Sequence, residues 1–180
     1  MRFEKAAAGV AASVATLLIM GVAVVRAADD RPETLIYAVY NGQDTASQVF
    51  KSMQSNQNNT GERIESYAVV SMDLKGKVKV RDQRKRDAGV GAVLGGVIGL
   101  LGGPIGVAAG ATAGGAVGYL TGDAVGIPRD KVQSMKQSLV PDSSALVVVL
   151  DDQWVDSVER DMRQAQAREV IANQIAQNGR

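Results

Sequence analysis

The sequence contains no cysteine and no histidine. Without cysteine there is no disulfide, no lipid-modified cysteine and no thiol nucleophile. Without histidine, zinc sites, haem sites and Ser-His-Asp catalysis lose their usual ligand or base. The carboxylate pair Asp151–Asp152 follows a predicted strand, where neighbouring side chains point apart, so we interpret it as a helix cap rather than an acid–base pair. We therefore expect a protein that is not an enzyme, with no catalytic residues, no metal site and no cofactor.

Aromatic residues are few, and neither sign of charge is in clear excess. Aromatics make up 4% of the chain, and 20 basic residues face 19 acidic ones, a net charge of +1. Nucleic-acid-binding proteins usually carry a basic excess, and those that bind single strands interleave it with stacking aromatics. We therefore expect no nucleic acid partner, and no small-molecule substrate is identified by any motif. The length of 180 residues suits one domain with a buried core and appendages.

The first long apolar run lies at the N-terminus. Arg2 and Lys5 precede an uncharged stretch at residues 6–25, and small residues lead to a possible cleavage point after Ala27. This pattern predicts a secretory signal peptide. Its apolar run is also long enough to remain as an anchor across a bilayer core of about 30 Å, or to pack as a soluble helix. We expect residues 1–27 to be a signal peptide or membrane anchor, and the protein to be exported to a bacterial cell envelope, with its domain facing the periplasm.

The remaining patterns alternate between strand and helix. In chain order they predict a strand at 34–40, a helix after Asp44, a hairpin of two strands around Leu74–Gly76, a helix after Pro128, a strand at 144–152 and a helix from about Gln153. The first six of these form the βαββαβ order of a ferredoxin-like sandwich, so an α+β fold is predicted. Its two parts are residues 28–87 and 123–180. The segment "REVIANQI" at 168–175 fits either continued helix or a further strand.

Between those parts lies a second apolar block at residues 88–122, with no charged residue. Gly102-Gly103-Pro104 divides it, because glycine commonly ends a helix and proline commonly stands at the first position of one. This predicts an inserted helical hairpin with arms near 90–101 and 105–121. Its glycines recur at intervals of four in two series: Gly91, Gly95, Gly99 and Gly103, then Gly102, Gly106, Gly110, Gly114, Gly118 and Gly122.

Glycines four residues apart form a smooth ridge along a helix, where another backbone can approach closely. Each costs roughly 0.5–1 kcal/mol of helix stability in water, whereas in lipid the helix is retained because unpaired backbone groups cost far more. The block is therefore interpreted as a glycine-zipper hairpin in or on a membrane. The arms rise only roughly 18 and 25 Å, so a re-entrant hairpin, an oligomeric membrane assembly or a buried soluble insert all stay open. A phosphate-binding reading of "GVGAVLG" has neither the preceding strand nor the ribose-binding acid.

A basic segment precedes the block. Its members are Lys77, Lys79, Arg81, Arg84, Lys85 and Arg86. They fit the solvated face of a strand whose valines, Val78 and Val80, point inward. They also fit a collar that contacts anionic lipid head groups, with each residue contributing on the order of 1 kcal/mol.

Several segments together resemble a known family. "LIYAVYNGQDTASQVF", the basic strand, "GAVLGGVIGLLGGPIGVAAGATAGGAVGYLTG" and "VPDSSALVVVLDD" look like a bacterial and archaeal domain-of-unknown-function family of predicted membrane proteins. The resemblance implies a ferredoxin-like domain with a glycine-rich insert, and "REVIANQI" as a closing strand. It implies no activity and no catalytic residues. The N-terminal export segment departs from the usual family pattern.

These features predict a non-enzymatic, membrane-associated envelope protein. Its hairpin would mediate membrane insertion, self-association or both, with membrane lipid and further copies of the chain as partners. The alternative is a soluble periplasmic binding or regulatory module, in which the hairpin forms the interface between subunits.

Overall fold

The computed structural model describes residues 33–55, 63–64, 66–84, 90–102 and 126–175. These residues form one five-stranded antiparallel sheet and four α-helices, which confirms the predicted α+β class. In chain order the elements are β1 (Glu33–Asn41), α1 (Thr45–Ser55), β2 (Ser66–Met72), β3 (Val78–Arg84), α2 (90–102), α3 (Arg129–Ser138), β4 (Ser143–Asp151), α4 (Val155–Gln164) and β5 (Glu169–Ile175). A short 3-10 helix, Asp152–Trp154, leads into α4.

The strands lie in the order β3-β2-β4-β1-β5. β1 and β4 are central, and eight consecutive residues of each are buried. Their nearly continuous apolar sequences, "TLIYAVY" and "SALVVVL", are explained by this position, because both faces of these strands are covered. β3 and β5 are the two edges of the sheet.

Two interlocked units build the centre of the sheet. β1, α1 and β2 form one unit with β4 between its strands, and β4, α4 and β5 form the other with β1 between its strands. β3 is an additional edge strand, joined to β2 by a hairpin. The segment "REVIANQI", for which sequence patterns allowed helix or strand, is therefore a strand that pairs with β1.

The helices cover both faces of the sheet. α1 and α4 pack on one face around Phe50, Val158 and Met162, and α2 and α3 pack on the other around Leu94 and Met135. Chain order alone suggested that α3 is the second helix beside α1. That assignment is wrong, because the inward residues of α3 meet the opposite side of β1 and β4, and α4 takes the place next to α1.

Side-chain contacts hold α3 against the edge strand β5. The ammonium group of Lys131 donates to the carbonyl oxygen of Ala172, and the Asn173 amide donates to the carbonyl oxygen of Gly126 at 3.0 Å. β5 thereby fixes both the start of α3 and the loop before it.

Residues 1–27 and the predicted second arm, 105–121, lie outside the described residues. Among the helices that the structure does describe, none combines the length and the apolar character needed to cross a membrane.

Candidate functional site

The first arm of the glycine-rich block is the helix α2, and it belongs to the core of the domain. Its four buried large residues are Val90, Leu94, Val97 and Ile98, each at most 6% exposed. Their spacing of i, i+4, i+7 and i+8 places them on one side of the helix. They join the cluster that α3 and the sheet form, so the bulky side of α2 is bound to this domain itself.

The glycines of α2 lie largely on its other side. At about 100° per residue, Gly95 and Gly99 point away from the side defined by Leu94 and Ile98. Gly91 and Gly95 are buried, and Gly99 is half-buried. α2 therefore has one side of branched apolar residues on the sheet and a nearly smooth side facing outward from it.

Gly102 has a different environment, next to the first residue of β3. A Cβ atom built at Gly102 would lie 3.5 Å from the Val78 Cβ atom and 3.7 Å from its Cγ1 atom, which are ordinary contacts. The second glycine series thus begins where α2 passes the edge strand. The other predicted assembly residues, Gly103, Pro104, Gly106, Gly110, Gly114, Gly118 and Gly122, lie outside the described residues.

The basic segment forms the outward side of the edge strand β3. Val78 is buried and Val80 packs against the core, whereas Lys77, Lys79, Arg81 and Arg84 are exposed. The pairing with β2 shifts between Val69 and Val70, a bulge that suits an edge strand. Lys85 and Arg86 lie outside the described residues.

Two of the exposed basic residues have acidic partners. The Lys79 ammonium lies 3.3 Å from the Asp73 carboxylate, and the Arg81 guanidinium lies 2.6 Å from that of Asp44. Solvent and salt screen exposed pairs of this kind, so both are weak and an anionic surface competes with the carboxylates for the two cations. Asp44, which directly precedes α1, thus binds the basic strand with its side chain.

The carboxylate pair of Asp151 and Asp152 has a structural role. Asp151 makes no side-chain capping hydrogen bond at the turn that follows it. Asp152 accepts hydrogen bonds from the Thr34 hydroxyl at 2.5 Å and from the Gln174 amide at 2.7 Å, which joins the start of β1 to the end of β5. The predicted cap is therefore wrong, and no local sequence signal announces a contact across 118 residues. Among the described residues, no three acidic, histidine or cysteine side chains are grouped to hold a metal ion.

Trp154 makes a contact that the sequence does not predict. It is half-buried against the cluster under α1 and α4, and the Arg63 guanidinium carbon lies 3.6 Å from its ring centroid. This cation–π contact ties the loop before β2 to the turn before α4.

The chain is similar to a known family over its C-terminal half. The family model described as "Protein of unknown function (DUF1269)" matches residues 88–180, more than half of the chain. The matched part contains β4 and β5 but not β1, the strand that separates them, so the folded domain extends N-terminally beyond the match. No curated protein and no solved structure matches this chain.

Proposed function

The chain belongs to the DUF1269 family, and we propose that it is a non-enzymatic envelope protein that assembles, at or in the membrane, through its glycine-rich block. The observation that carries the proposal is the two-sidedness of α2. Its bulky residues bind the sheet, and the spaced residues Gly95 and Gly99 form the opposite side. A helix that is fixed in a core on one side and smooth on the other can accept a second helix at very short distance.

The second glycine series at 102–122 supplies the complementary surface in this proposal. Its arm packs on the smooth side of α2 as a glycine zipper, and hairpins of neighbouring copies then associate. Because 88–122 contains no charged side chain, no charge has to be desolvated when the arm leaves water, and burial of its apolar side chains favours the transfer. The exposed basic residues of β3, next to the end of α2, then contact anionic head groups.

In the membrane-bound form, the two parts of the glycine-rich block have different surroundings. α2 stays on its sheet, and residues from 103 onward dip into or lie on the bilayer. The N-terminal segment, as a signal peptide or anchor, delivers the domain to the periplasmic side. Lipid and further copies of the chain are the proposed partners.

We further infer that the domain has a ferredoxin-like core made of β1, α1, β2, β4, α4 and β5. The order β2-β4-β1-β5, with α1 and α4 on one face, supports this. β3, α2 and α3 are then additions, all within the connection from β2 to β4. β3 extends the sheet at one edge, and α2 and α3 cover the face that such a core leaves open.

The second candidate is a soluble periplasmic oligomer with the block as its subunit interface. One observation favours it: α2 already buries its large apolar residues against its own sheet, so this arm needs no lipid. The two candidates share the zipper and differ in the medium around it.

Fractionation of a variant lacking residues 1–27 separates the two. The primary proposal expects this variant to sediment with membranes and to need detergent for release. The second candidate expects a defined oligomer in the soluble fraction. A soluble monomer with the glycine block intact would refute both.

Leucine substitutions test the zipper itself. Gly106→Leu and Gly110→Leu place a large side chain on the predicted ridge and should reduce the oligomer to smaller species in analytical ultracentrifugation. Ser52→Leu adds the same side chain at an exposed position of α1 and should leave the oligomer unchanged. If all three variants keep the parent size, the glycines do not mediate assembly.

A further inference from the structure

A polar cavity lies at the C-terminal end of α3. Its volume is about 290 Å³, close to the lower end of the range for small-molecule sites, and it opens to solvent. It is lined by Ser134, Gln137, Ser138, Arg168 and Glu169. Most ligand sites have largely apolar walls, whereas every lining residue here carries a polar or charged side chain, so this cavity suits a small, highly polar molecule.

Two hydrogen bonds hold the guanidinium of Arg168 in place, and no carboxylate of the described residues forms an ion pair with it. Its Nη1 atom donates to Asn41 Oδ1 and its Nη2 atom to the Ser138 carbonyl oxygen, both at 3.2 Å. Its backbone N–H donates to the Val39 carbonyl oxygen at 2.7 Å, which fixes the residue to β1. Both groups that accept from the guanidinium are uncharged. The two bonds use two of its five N–H donors. A carboxylate is the ligand that such a planar fork binds best.

The floor of the cavity is rigid. Ser138 is 7% exposed, and its Oγ atom lies 3.2 Å from the Tyr37 hydroxyl oxygen and 3.0 Å from the Met135 carbonyl oxygen. The Tyr37 hydroxyl in turn donates to the same Met135 carbonyl at 3.0 Å. The buried polar groups under the cavity therefore have partners already, and its shape does not depend on a ligand.

The cavity also contains a negative charge next to the positive charge of Arg168. Glu169 follows Arg168 directly, begins β5 and lines the same cavity. A simple carboxylate ligand would meet the attraction of Arg168 and the repulsion of Glu169. A molecule that carries a carboxylate and an ammonium group a few bonds apart satisfies both.

We propose that this cavity binds a free α-amino acid, with its carboxylate on Arg168 and its ammonium group at Glu169. Ser134 and Gln137 line the cavity on the α3 side, where they contact the rest of the ligand. The proposal is independent of the glycine-rich block, from which no residue lines the cavity among those described.

Titration calorimetry of the full chain with glycine, acetate and methylammonium tests this site. Glycine should bind with a Kd on the order of 1 mM, since a few polar contacts at an open site give weak affinity. Acetate and methylammonium should each bind at least about tenfold more weakly, because each engages one of the two charges. Equal affinity for glycine and acetate, or no glycine binding, would overturn the proposal.

Two variants separate the charges. Arg168→Gln should weaken both glycine and acetate, by about tenfold or more. Glu169→Gln should weaken glycine but strengthen acetate, an opposite pair of shifts that loss of folding cannot produce. Arg163→Gln removes an exposed arginine of α4 that pairs with Glu159 and should change neither affinity. If Glu169→Gln weakens both ligands alike, the zwitterion assignment fails.

Discussion

Tyr37 and Tyr40 lie three residues apart on β1, and their side chains enter opposite sides of the sheet. They are 0% and 1% exposed. The Tyr37 hydroxyl donates to the Met135 carbonyl oxygen at 3.0 Å, whereas the Tyr40 hydroxyl has no hydrogen-bond partner among the residues that the structure describes. Burial raises the pKa of both phenols above the usual value of 10, so both stay protonated at neutral pH.

Because the two hydroxyls differ in hydrogen bonding, replacing each tyrosine by phenylalanine should change the free energy of unfolding in opposite directions. Tyr40→Phe removes a buried polar atom that has no partner in the described part of the chain, so it should raise the free energy of unfolding by about 1 kcal/mol. Tyr37→Phe removes a satisfied hydrogen bond and leaves the Ser138 hydroxyl with one contact fewer, so it should lower that free energy by about 1 kcal/mol. Urea unfolding of both variants measures the two values. A loss of stability in Tyr40→Phe would mean that its hydroxyl has a partner after all.

The packing of α2 on the sheet predicts that the glycine-rich block contributes to domain stability. Ile98→Ala should lower the free energy of unfolding by about 3 kcal/mol, because it leaves a cavity in a core where Ile98 is 0% exposed. Ala92→Ser, at an exposed position of the same helix, should change it by about 0.5 kcal/mol or less. Thermal unfolding followed by the signal of Trp154 reports on the domain. Similar effects of both substitutions would mean that α2 does not support the sheet.

At two turn glycines, substitution by alanine should lower the free energy of unfolding by different amounts. Gly42 and Gly76 both have positive φ, +87° and +76°. A Cβ atom at Gly76 meets nothing, but one at Gly42 would lie 2.9 Å from the Thr45 Oγ1 atom, which is held by a hydrogen bond to the Asn41 carbonyl. Gly76→Ala should cost about 1 kcal/mol from backbone strain alone, and Gly42→Ala about 2 kcal/mol or more. Equal losses would show that Thr45 moves aside without cost.

The stability of the turn between β2 and β3 should depend on pH. Asp73 accepts backbone N–H bonds from Lys77 and Lys75 at 2.9 and 3.0 Å, and these bonds, with Lys79 nearby, hold its pKa below the usual value of 3.8. The ionised carboxylate therefore stabilises the turn above pH of about 4, and this contribution is lost as the pH falls through the lowered pKa. The protection factors of the Lys75 and Lys77 amides, which compare the exchange rate with that of an unstructured amide at the same pH, should fall in that range.

Two variants control for general acid effects in that experiment. Asp73→Ala should speed exchange at Lys77 by about tenfold at neutral pH, because the acceptor is gone. Asp73→Asn keeps an oxygen acceptor and should abolish the acid dependence while retaining much of the protection. The amides of Ile36 and Val148, in the centre of the sheet, should not respond in either variant. A response there would indicate global unfolding instead.

Local patterns in the sequence were sufficient for most secondary structure. The apolar runs of β1 and β4 and the helical spacing of Ala46, Val49, Phe50 and Met53 predict elements that the structure contains. The Gly102-Gly103-Pro104 break predicts the first arm, which is helical over 90–102. Such features depend on neighbours within a few residues, so a linear sequence displays them.

The candidate sites depended more on tertiary structure. Periodicity in α2 shows which residues share a side, but an apolar side fits a sheet as well as a lipid tail, and only the packed domain assigns Leu94 and Ile98 to the sheet. The same holds for Arg168 and Glu169, which are ordinary surface residues until the end of α3 comes to lie beside β5.

By itself, then, the sequence determined the element types, the apolar block with its glycine spacing, and the exclusion of chemistry that needs cysteine or histidine. The tertiary structure decided that "REVIANQI" is a strand, that α4 rather than α3 accompanies α1, and that Asp152 joins Thr34 to Gln174. The physical reason is that strand pairing and helix docking are selected by burial and hydrogen bonding between residues up to 118 positions apart. Short-range periodicity carries no information about which distant partner closes those contacts.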